Sequence, residues 1–443
     1  MDILTDPSHN HVGLCSPDSG FTPPRGFPMR AITTLLLLTL GLAPVTAVAQ
    51  DQAWKQSASA DQLELVPLMK EYLAAIPQGP GQWDPSTDPS SEYLPKLLAF
   101  EEEHRGTDSG LLALRQIVPR TWRLPEETRS STRKEAFERL KHYANNPLTA
   151  VIVRSVGNGN PDPEGVAGLR MLMKHPDTSP LVAGYCQLSL GRHLTMRKYG
   201  FDNGRKRLAE IEAGAKSEVG EKDFRLERMK HYPDKATCIA GEAEGIELLD
   251  LLAQSKSTIR MRVIRPIDEN GILIKLDKSD SASASLSEEA AGYHFQATRL
   301  RPGKPAPELG VALIDGKQWS LADQTAAGRV TLIHFSFKGC GPCEAMYPDL
   351  RKMQEQYGDK LAILAIMVDP DLNDTVEAAE SGKISWSVTW DGRNGPLATK
   401  WGILGYPTTW VIDQDGKIAE SYLFGDQLTD LVGELITQPA NDK

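Results

Sequence analysis

The sequence predicts an all-α N-terminal region followed by a C-terminal α/β domain. Three observations predict it. From about residue 58 to 255 apolar residues recur at helical spacing. From about residue 301 short apolar runs alternate with helical patterns. Between one such run, Val330 to Phe337, and one such helix, Glu344 to Leu350, stands Cys340-Gly341-Pro342-Cys343.

The chain has 443 residues, room for two or three domains. Hydrophobic residues make up 40% and charged residues 24%, the balance of a globular protein. The formal net charge of −10, with no basic patch interleaved with aromatics, argues against nucleic-acid binding.

Near the N-terminus, Arg30 precedes the apolar run Leu35–Leu42, which closes on Ala47-Val48-Ala49. A short apolar core ending in small residues is the pattern of an export signal, and places the mature protein in the bacterial cell envelope, in the periplasm. Met29 immediately precedes Arg30, so residues 1–28 are expected to be an extension outside the gene proper, and residues 29–49 the signal peptide. Cleavage after Ala49 gives a soluble exported protein; retention of the signal would anchor it.

Removal of the signal also removes Cys15 and leaves Cys186, Cys238, Cys340 and Cys343. An exported protein can hold disulfides. For Cys186 and Cys238 two readings stand: a structural bridge, or two buried free thiols.

Within residues 58–255, Leu63, Leu65, Leu68, Met69 and Leu73 share a helical stripe, and Leu94, Leu97, Leu98 and Phe100 form another. Arg133 to Leu140 reads as a charged amphipathic helix. Helix starts follow Asn146-Pro147, Asn160-Pro161-Asp162-Pro163, His175-Pro176-Asp177 and Tyr232-Pro233-Asp234. Thr178 or Ser179 is the expected cap of a long helix through Leu190, with Pro180 in its first turn. The punctuation suggests a loose array of helical hairpins with irregular spacing, or an irregular helical domain. Either presents a surface for a partner protein that the sequence does not name. His142, His193 and His231 show no ligand spacing and are expected at the surface or as caps; no metal site is expected. Residues 256–300 read as a connector. Thr258 to Val263 and Gly271 to Leu276 alternate as strands, and Ser279 to Glu289 reads as a flexible surface segment.

In the C-terminal part, Leu309–Ile314 and Lys317–Ser320 flank Asp315-Gly316 as a hairpin. Val330 to Phe337 is a buried strand, residues 341–357 a helix, and Leu361 to Val368 a central parallel strand. Asn373 to Glu380 is a short helix. Thr408–Ile412 and Lys417–Tyr422 form a second hairpin around Asp415-Gly416, and a last helix spans about 426–437.

The start of a helix offers unsatisfied N–H groups and partial positive charge, which stabilise a thiolate. A cysteine there is a nucleophile near neutral pH. The two-residue spacing lets the second thiol attack a mixed disulfide formed by the first. The strand–CxxC–helix context therefore points to thiol–disulfide exchange. Its competitors are a structural disulfide or half of a zinc site, and neither a second CxxC nor an HxxxH follows to complete the latter.

Gly303-Lys304-Pro305-Ala306-Pro307-Glu308, then the hairpin, then Cys340–Cys343, then Gly405-Tyr406-Pro407-Thr408-Thr409 resembles the exported TlpA/ResA-like branch of the thioredoxin superfamily, over about residues 301–438. The resemblance implies a thioredoxin-like domain in which the Tyr406–Pro407 bond is cis and faces the cysteines. It implies Cys340 as the exposed attacking thiolate, Cys343 as the resolving thiol, and Pro407 and Tyr406 as the shapers of the substrate groove. It implies no cofactor beyond the redox-active disulfide, a disulfide-containing protein as substrate, and a membrane thiol relay as electron donor. The Gly341-Pro342 dipeptide is that of reducing thioredoxins and favours a disulfide reductase.

The chain also departs from the family pattern. His334 stands six residues before Cys340, where cytoplasmic thioredoxins carry a buried aspartate. It is either a proton acceptor for Cys343 or a neutral, hydrogen-bonded, inert histidine. Asp369 and Asp371 are the nearest acidic groups after the central strand. Gly339 replaces the usual tryptophan and is expected to leave the site less shielded. Glu344 is expected to moderate the lowering of the Cys340 pKa. A peroxidase of the AhpC type would need threonine or serine at position 337, where the chain has Phe337. An interaction protein, in which the helical region binds a partner and the C-terminal domain is a recognition module, is the remaining alternative.

Overall fold

The computed structural model describes residues 60–76, 87–157, 159, 162–214, 217, 221–260, 264–266, 274–276 and 284–437. The expected extension 1–28, the expected signal peptide 29–49 and parts of the 256–300 connector lie outside them. No described helix is long and apolar enough to cross a membrane.

The described residues between 60 and 254 form helices and short connections: α1 (Ala60–Ala75), α2 (Ser90–Glu103), α3 (Asp108–Ile117), α4 (Glu126–Leu140), α5 (Pro147–Arg154), α6 (Pro163–Lys174), α7 (Pro180–Glu212), α8 (Glu221–Lys230) and α9 (Lys235–Gln254). The punctuation residues act as caps. Asn146 accepts from Leu148 N, Asp162 from Gly165 N, Ser179 from Val182 N and Asp234 from Thr237 N, each satisfying a donor the helix start leaves open. Asn160-Pro161 falls outside the described residues.

The 33-residue α7 is the spine of this region, and α9 runs antiparallel along it. Gln187 donates to Leu248 O, Gly191 lies against Leu249 and Gly245, and Gly241 lies against Leu194 and Arg197. The two chains approach closely because the contact is made by glycine: a Cβ on Gly245 would stand 2.7 Å from Gly191 O.

The connector contains a short antiparallel pair, β1 (Ile264–Pro266) and β2 (Ile274–Leu276). Thr258 to Arg260 do not form a regular strand, and residues 261–263 and 271–273 lie outside the described residues. The expected flexible segment is in part a helix, α10 (Leu286–Arg299). Ser285 and Glu288 form a full capping box, and Leu286, Ala290, Tyr293 and Ala297 bury one stripe.

The C-terminal domain holds β3 (Gly310–Ala312), β4 (Gln318–Ser320), α11 (Leu321–Ala326), β5 (Val330–Ser336), α12 (Gly341–Tyr357), β6 (Leu361–Met367), α13 (Leu372–Glu380), β7 (Ser387–Trp390), α14 (Pro396–Lys400), β8 (Thr408–Ile412), β9 (Ile418–Ser421) and α15 (Gly425–Thr437). The main sheet has the order β7-β6-β5-β8-β9. β5, β6 and β7 are parallel; β8 and β9 run antiparallel to their neighbours. Every residue of β5 is buried, as expected of a strand covered on both faces. The all-α region followed by a thioredoxin-like α/β domain is thus the observed fold class.

The two parts are docked along the β9 edge. Tyr199 on α7 donates to Glu420 Oε1 at 2.7 Å, and Lys206 pairs with Glu420 Oε2 at 3.3 Å. Arg301 donates to Thr195 O at 3.2 Å. α10 is the second tie. Gln296 donates to Trp401 O and to the Tyr422 hydroxyl, while Arg154 and Tyr185 hold Glu289. The open backbone of this edge strand is met in part by residues 303–306, with Gly303 N donating to Ile418 O and Ile418 N to Lys304 O, and in part by the Tyr199 hydroxyl, which donates to Ser421 O.

Candidate active site

The site is built where β5 ends. The chain turns through residues 337–340, with Cys340 N donating to Phe337 O at 3.2 Å, and enters α12 at Gly341. Gly339 makes the turn possible with φ +79°, and a Cβ there would meet nothing within 4 Å. The turn is pinned from β6: Asp369, 2% exposed, accepts from Lys338 N and from Thr375 Oγ1, both at 2.7 Å. Burial raises the Asp369 carboxyl above its usual range. Asp371, the other acidic candidate, caps α13 through Asn373 N and stays exposed.

Cys340 is the N-cap residue of α12, and Pro342 occupies its first turn, where no amide donor is missed. Cys340 and Cys343 are joined, S–S 2.04 Å and Cα–Cα 5.3 Å. Cys343 is fully buried, and Cys340 is only 1% exposed. The attacking cysteine is therefore not exposed in this oxidised form, contrary to the sequence expectation. β8 supplies the reason. Phe335 pairs with Thr408, and continuing that antiparallel register sets Pro407 beside Ser336 and Tyr406 across from Phe337. The Tyr406–Pro407 peptide is cis. The Phe337 and Tyr406 rings meet edge to face, centroids 5.5 Å apart at 84°. Gly339 is exposed and bare, yet Cys340 is buried, and the Phe337–Tyr406 pair packs in the same core cluster as the two cysteines.

Residues 302–421 match the AhpC/TSA family. The C-terminal domain is a thioredoxin-like domain of this family. The chain is 28% identical over 137 residues to the thioredoxin-like protein YneN of Bacillus subtilis, covering 30% of this chain and 76% of that protein. It is 26% identical over 147 residues to the thiol-disulfide oxidoreductase ResA of Bacillus thuringiensis, covering 33% of this chain and 82% of ResA. A solved thioredoxin domain of a thiol-disulfide oxidoreductase from Bacteroides vulgatus is 26% identical, with a TM-score of 0.29 over 31% of this chain and 99% of that one. The family match leaves the helical region outside it.

Two further residues of the thioredoxin-like domain differ from their expected settings. His334 is wholly buried, and neither ring nitrogen has a partner, so the hydrogen-bonded alternative does not hold. Desolvation pushes its pKa down to about 4, and it is neutral at pH 7. Its closest ring neighbour is Tyr347, edge to face at 6.2 Å. Glu344 is paired with Lys383 at 2.7 Å, which offsets the negative charge expected to act on Cys340.

In the helical region Cys186 and Cys238 are both free and buried; the bridge is absent. The antiparallel register of α7 and α9 explains this. Cys238 faces the Arg197–Asp202 stretch of α7, about 13 residues from Cys186, which at 1.5 Å per residue is roughly 20 Å. A disulfide needs Cα atoms within about 7 Å. Burial raises both thiol pKa values, that of Cys186 to about 12. His193 is likewise buried rather than superficial, with its pKa lowered to about 4 by desolvation. His142 is exposed, and His231 stands 3.9 Å from Glu126 and 3.8 Å from Glu227, one through each ring nitrogen.

Proposed function

We propose that this protein is an exported thiol–disulfide oxidoreductase that reduces protein disulfides in the periplasm. The observation that carries the reading is the Cys340–Cys343 pair at the start of α12, beside cis-Pro407. In the reduced protein the Cys340 thiolate, favoured by the helix start, attacks one sulfur of the substrate disulfide. A mixed disulfide forms and one substrate thiolate leaves. The Cys343 thiolate then attacks Cys340 Sγ and expels the second substrate thiolate. Two electrons pass to the substrate, and the protein is left with the disulfide described above. A membrane-bound dithiol donor restores the dithiol by the reverse exchange, and no other cofactor is required. The named relatives ResA and YneN support the exchange chemistry, and the Gly341-Pro342 dipeptide supports the reducing direction.

The test is equilibration with dithiothreitol and glutathione buffers, with Cys340→Ser as control. A potential on the order of −270 mV supports a reductase, and one on the order of −120 mV makes it a disulfide donor instead. Cys343→Ser should trap a mixed disulfide with the substrate. Absence of any two-electron exchange would leave the interaction-protein reading, with the helical region as the binding part.

A further inference from the structure

We infer that Phe337 is the specificity-determining residue of the site: with Tyr406 it covers the Cys340–Cys343 disulfide and selects extended polypeptide segments that carry an apolar or aromatic residue next to the reacting cysteine. The inference rests on the exchange reading and deepens it.

Cys340 lies in a turn whose preceding residues, Lys338 and Gly339, are exposed, yet it is itself 1% exposed. Neither neighbour does the covering. Gly339 has no side chain, and the Lys338 ammonium is drawn away to Asp374 and Glu377 at 2.9 and 2.6 Å. The bulky groups at this end of β5 and β8 are Phe337 and Tyr406, brought opposite one another by the sheet register and in ring contact at 5.5 Å. Phe337 is only half-buried and packs on the core cluster that includes both cysteines and Tyr406. The Tyr406 hydroxyl makes no hydrogen bond among the described residues, so apolar contact alone holds the pair closed.

An incoming thiol or disulfide must displace one ring to reach Cys340 Sγ. A bare small thiol offers nothing in exchange for the lost edge-to-face contact. A segment with an aromatic beside its cysteine restores that contact on Phe337 while its backbone lies along the cis-proline loop.

The test uses the full oxidised protein and follows its reduction by three thiols. These are dithiothreitol and two unstructured peptides that differ only in glycine or phenylalanine beside one cysteine. Reduction by the peptides proceeds through attack of a peptide thiolate on Cys340 Sγ with release of the Cys343 thiolate, then attack of a second peptide thiolate on the peptide sulfur of the mixed disulfide, which forms the peptide disulfide and releases the Cys340 thiolate. The wild type should favour the phenylalanine peptide by about tenfold, the rate equivalent of one aromatic contact. Phe337→Ala should lose that preference and react faster with dithiothreitol. Phe337→Leu, which keeps an apolar cover, should fall between them and guards against a folding failure in the alanine variant. Equal peptide preference in wild type and Phe337→Ala, or an unchanged dithiothreitol rate, overturns the inference. A reduced wild type that fails to reduce peptide disulfides, while the three oxidised forms behave as described, would sink the reductase reading and leave the cover standing.

Discussion

His334→Phe should stabilise the C-terminal domain, and by more as the pH falls. His334 sits on the central strand β5, between Ala365 of β6 and Thr409 of β8, with both ring nitrogens unpartnered. A buried polar group without a partner costs about 1–3 kcal/mol. Phenylalanine removes that cost and keeps an edge-to-face partner for Tyr347, so a gain of that order is expected at pH 7. The pH dependence follows from desolvation, which lowers the folded-state pKa from 6.5 to about 4. The unfolded chain therefore binds a proton between these values that the folded chain does not. Wild-type stability is intact above pH 6.5 and is lost as the pH falls toward 4. Linkage over that interval amounts to roughly 2–2.5 kcal/mol at pH 4.5. The variant lacks this contribution, whereas the other acid-sensitive groups, His193 among them, are common to both proteins and cancel in the difference. Urea unfolding followed by tryptophan fluorescence, which reports on buried Trp401 and Trp410 packed around Phe335, measures both proteins at pH 7 and 4.5. A stability difference that stays constant between the two pH values would refute the reasoning, since it would mean that His334 carries a proton as readily folded as unfolded.

Three more outcomes follow from close contacts. Gly292→Ala would put a Cβ 2.2 Å from Thr399 O and 3.1 Å from Gly402 Cα, both backbone, so α10 must shift off α14; a loss of about 2–3 kcal/mol and faster proteolysis near residue 300 are expected. Gly339→Ala meets open space but must hold φ +79°, which costs about 1–2 kcal/mol in thermal or urea unfolding without any clash. Tyr199→Phe deletes the 2.7 Å bond to Glu420, which is 5% exposed; a loss of about 1–3 kcal/mol, with faster hydrogen exchange confined to β9 and the facing part of α7, is expected.

The features legible in the sequence are those that local chemistry decides. The strand before Cys340, the helix start after it and the Asp415-Gly416 turn each depend on a few consecutive residues. The caps Asn146, Ser179 and Asp234 are read the same way. The short helices α11 and α14 have no counterpart in the sequence reading, and two further elements, β7 and α10, escape it for opposite reasons. β7, Ser387–Trp390, is a four-residue edge strand whose apolar alternation is too short to separate from a loop. α10 was hidden by composition: its serine- and acid-rich start reads as a flexible segment, although Ser285-Leu286-Ser287-Glu288 already carries the capping-box pattern that starts a helix.

The site itself was half legible, and the division is physical. Which residues react follows from spacing along the chain. How far they can be reached follows from pairing between strands some 70 residues apart, and no local pattern encodes it. Gly339 alone suggests an open site, yet Cys340 is 1% exposed, and only the β5–β8 register sets Tyr406 against Phe337 beside it. The same distinction governs Cys186 and Cys238, whose separation is decided by the α7–α9 register rather than by composition. It also governs the helical region as a whole. Tyr199 of α7 holds β9, one edge of the sheet order β7-β6-β5-β8-β9, and α10 packs against α14, so the helical region meets the domain beside the chain that leads into Pro407. Trp401, whose carbonyl is held by Gln296 of α10, packs on Phe335 one turn of strand before Phe337. Buried contacts thus run from α10 through Trp401 to Phe335, two residues before the Phe337 ring that meets Tyr406, and none of them lies within one local stretch of sequence.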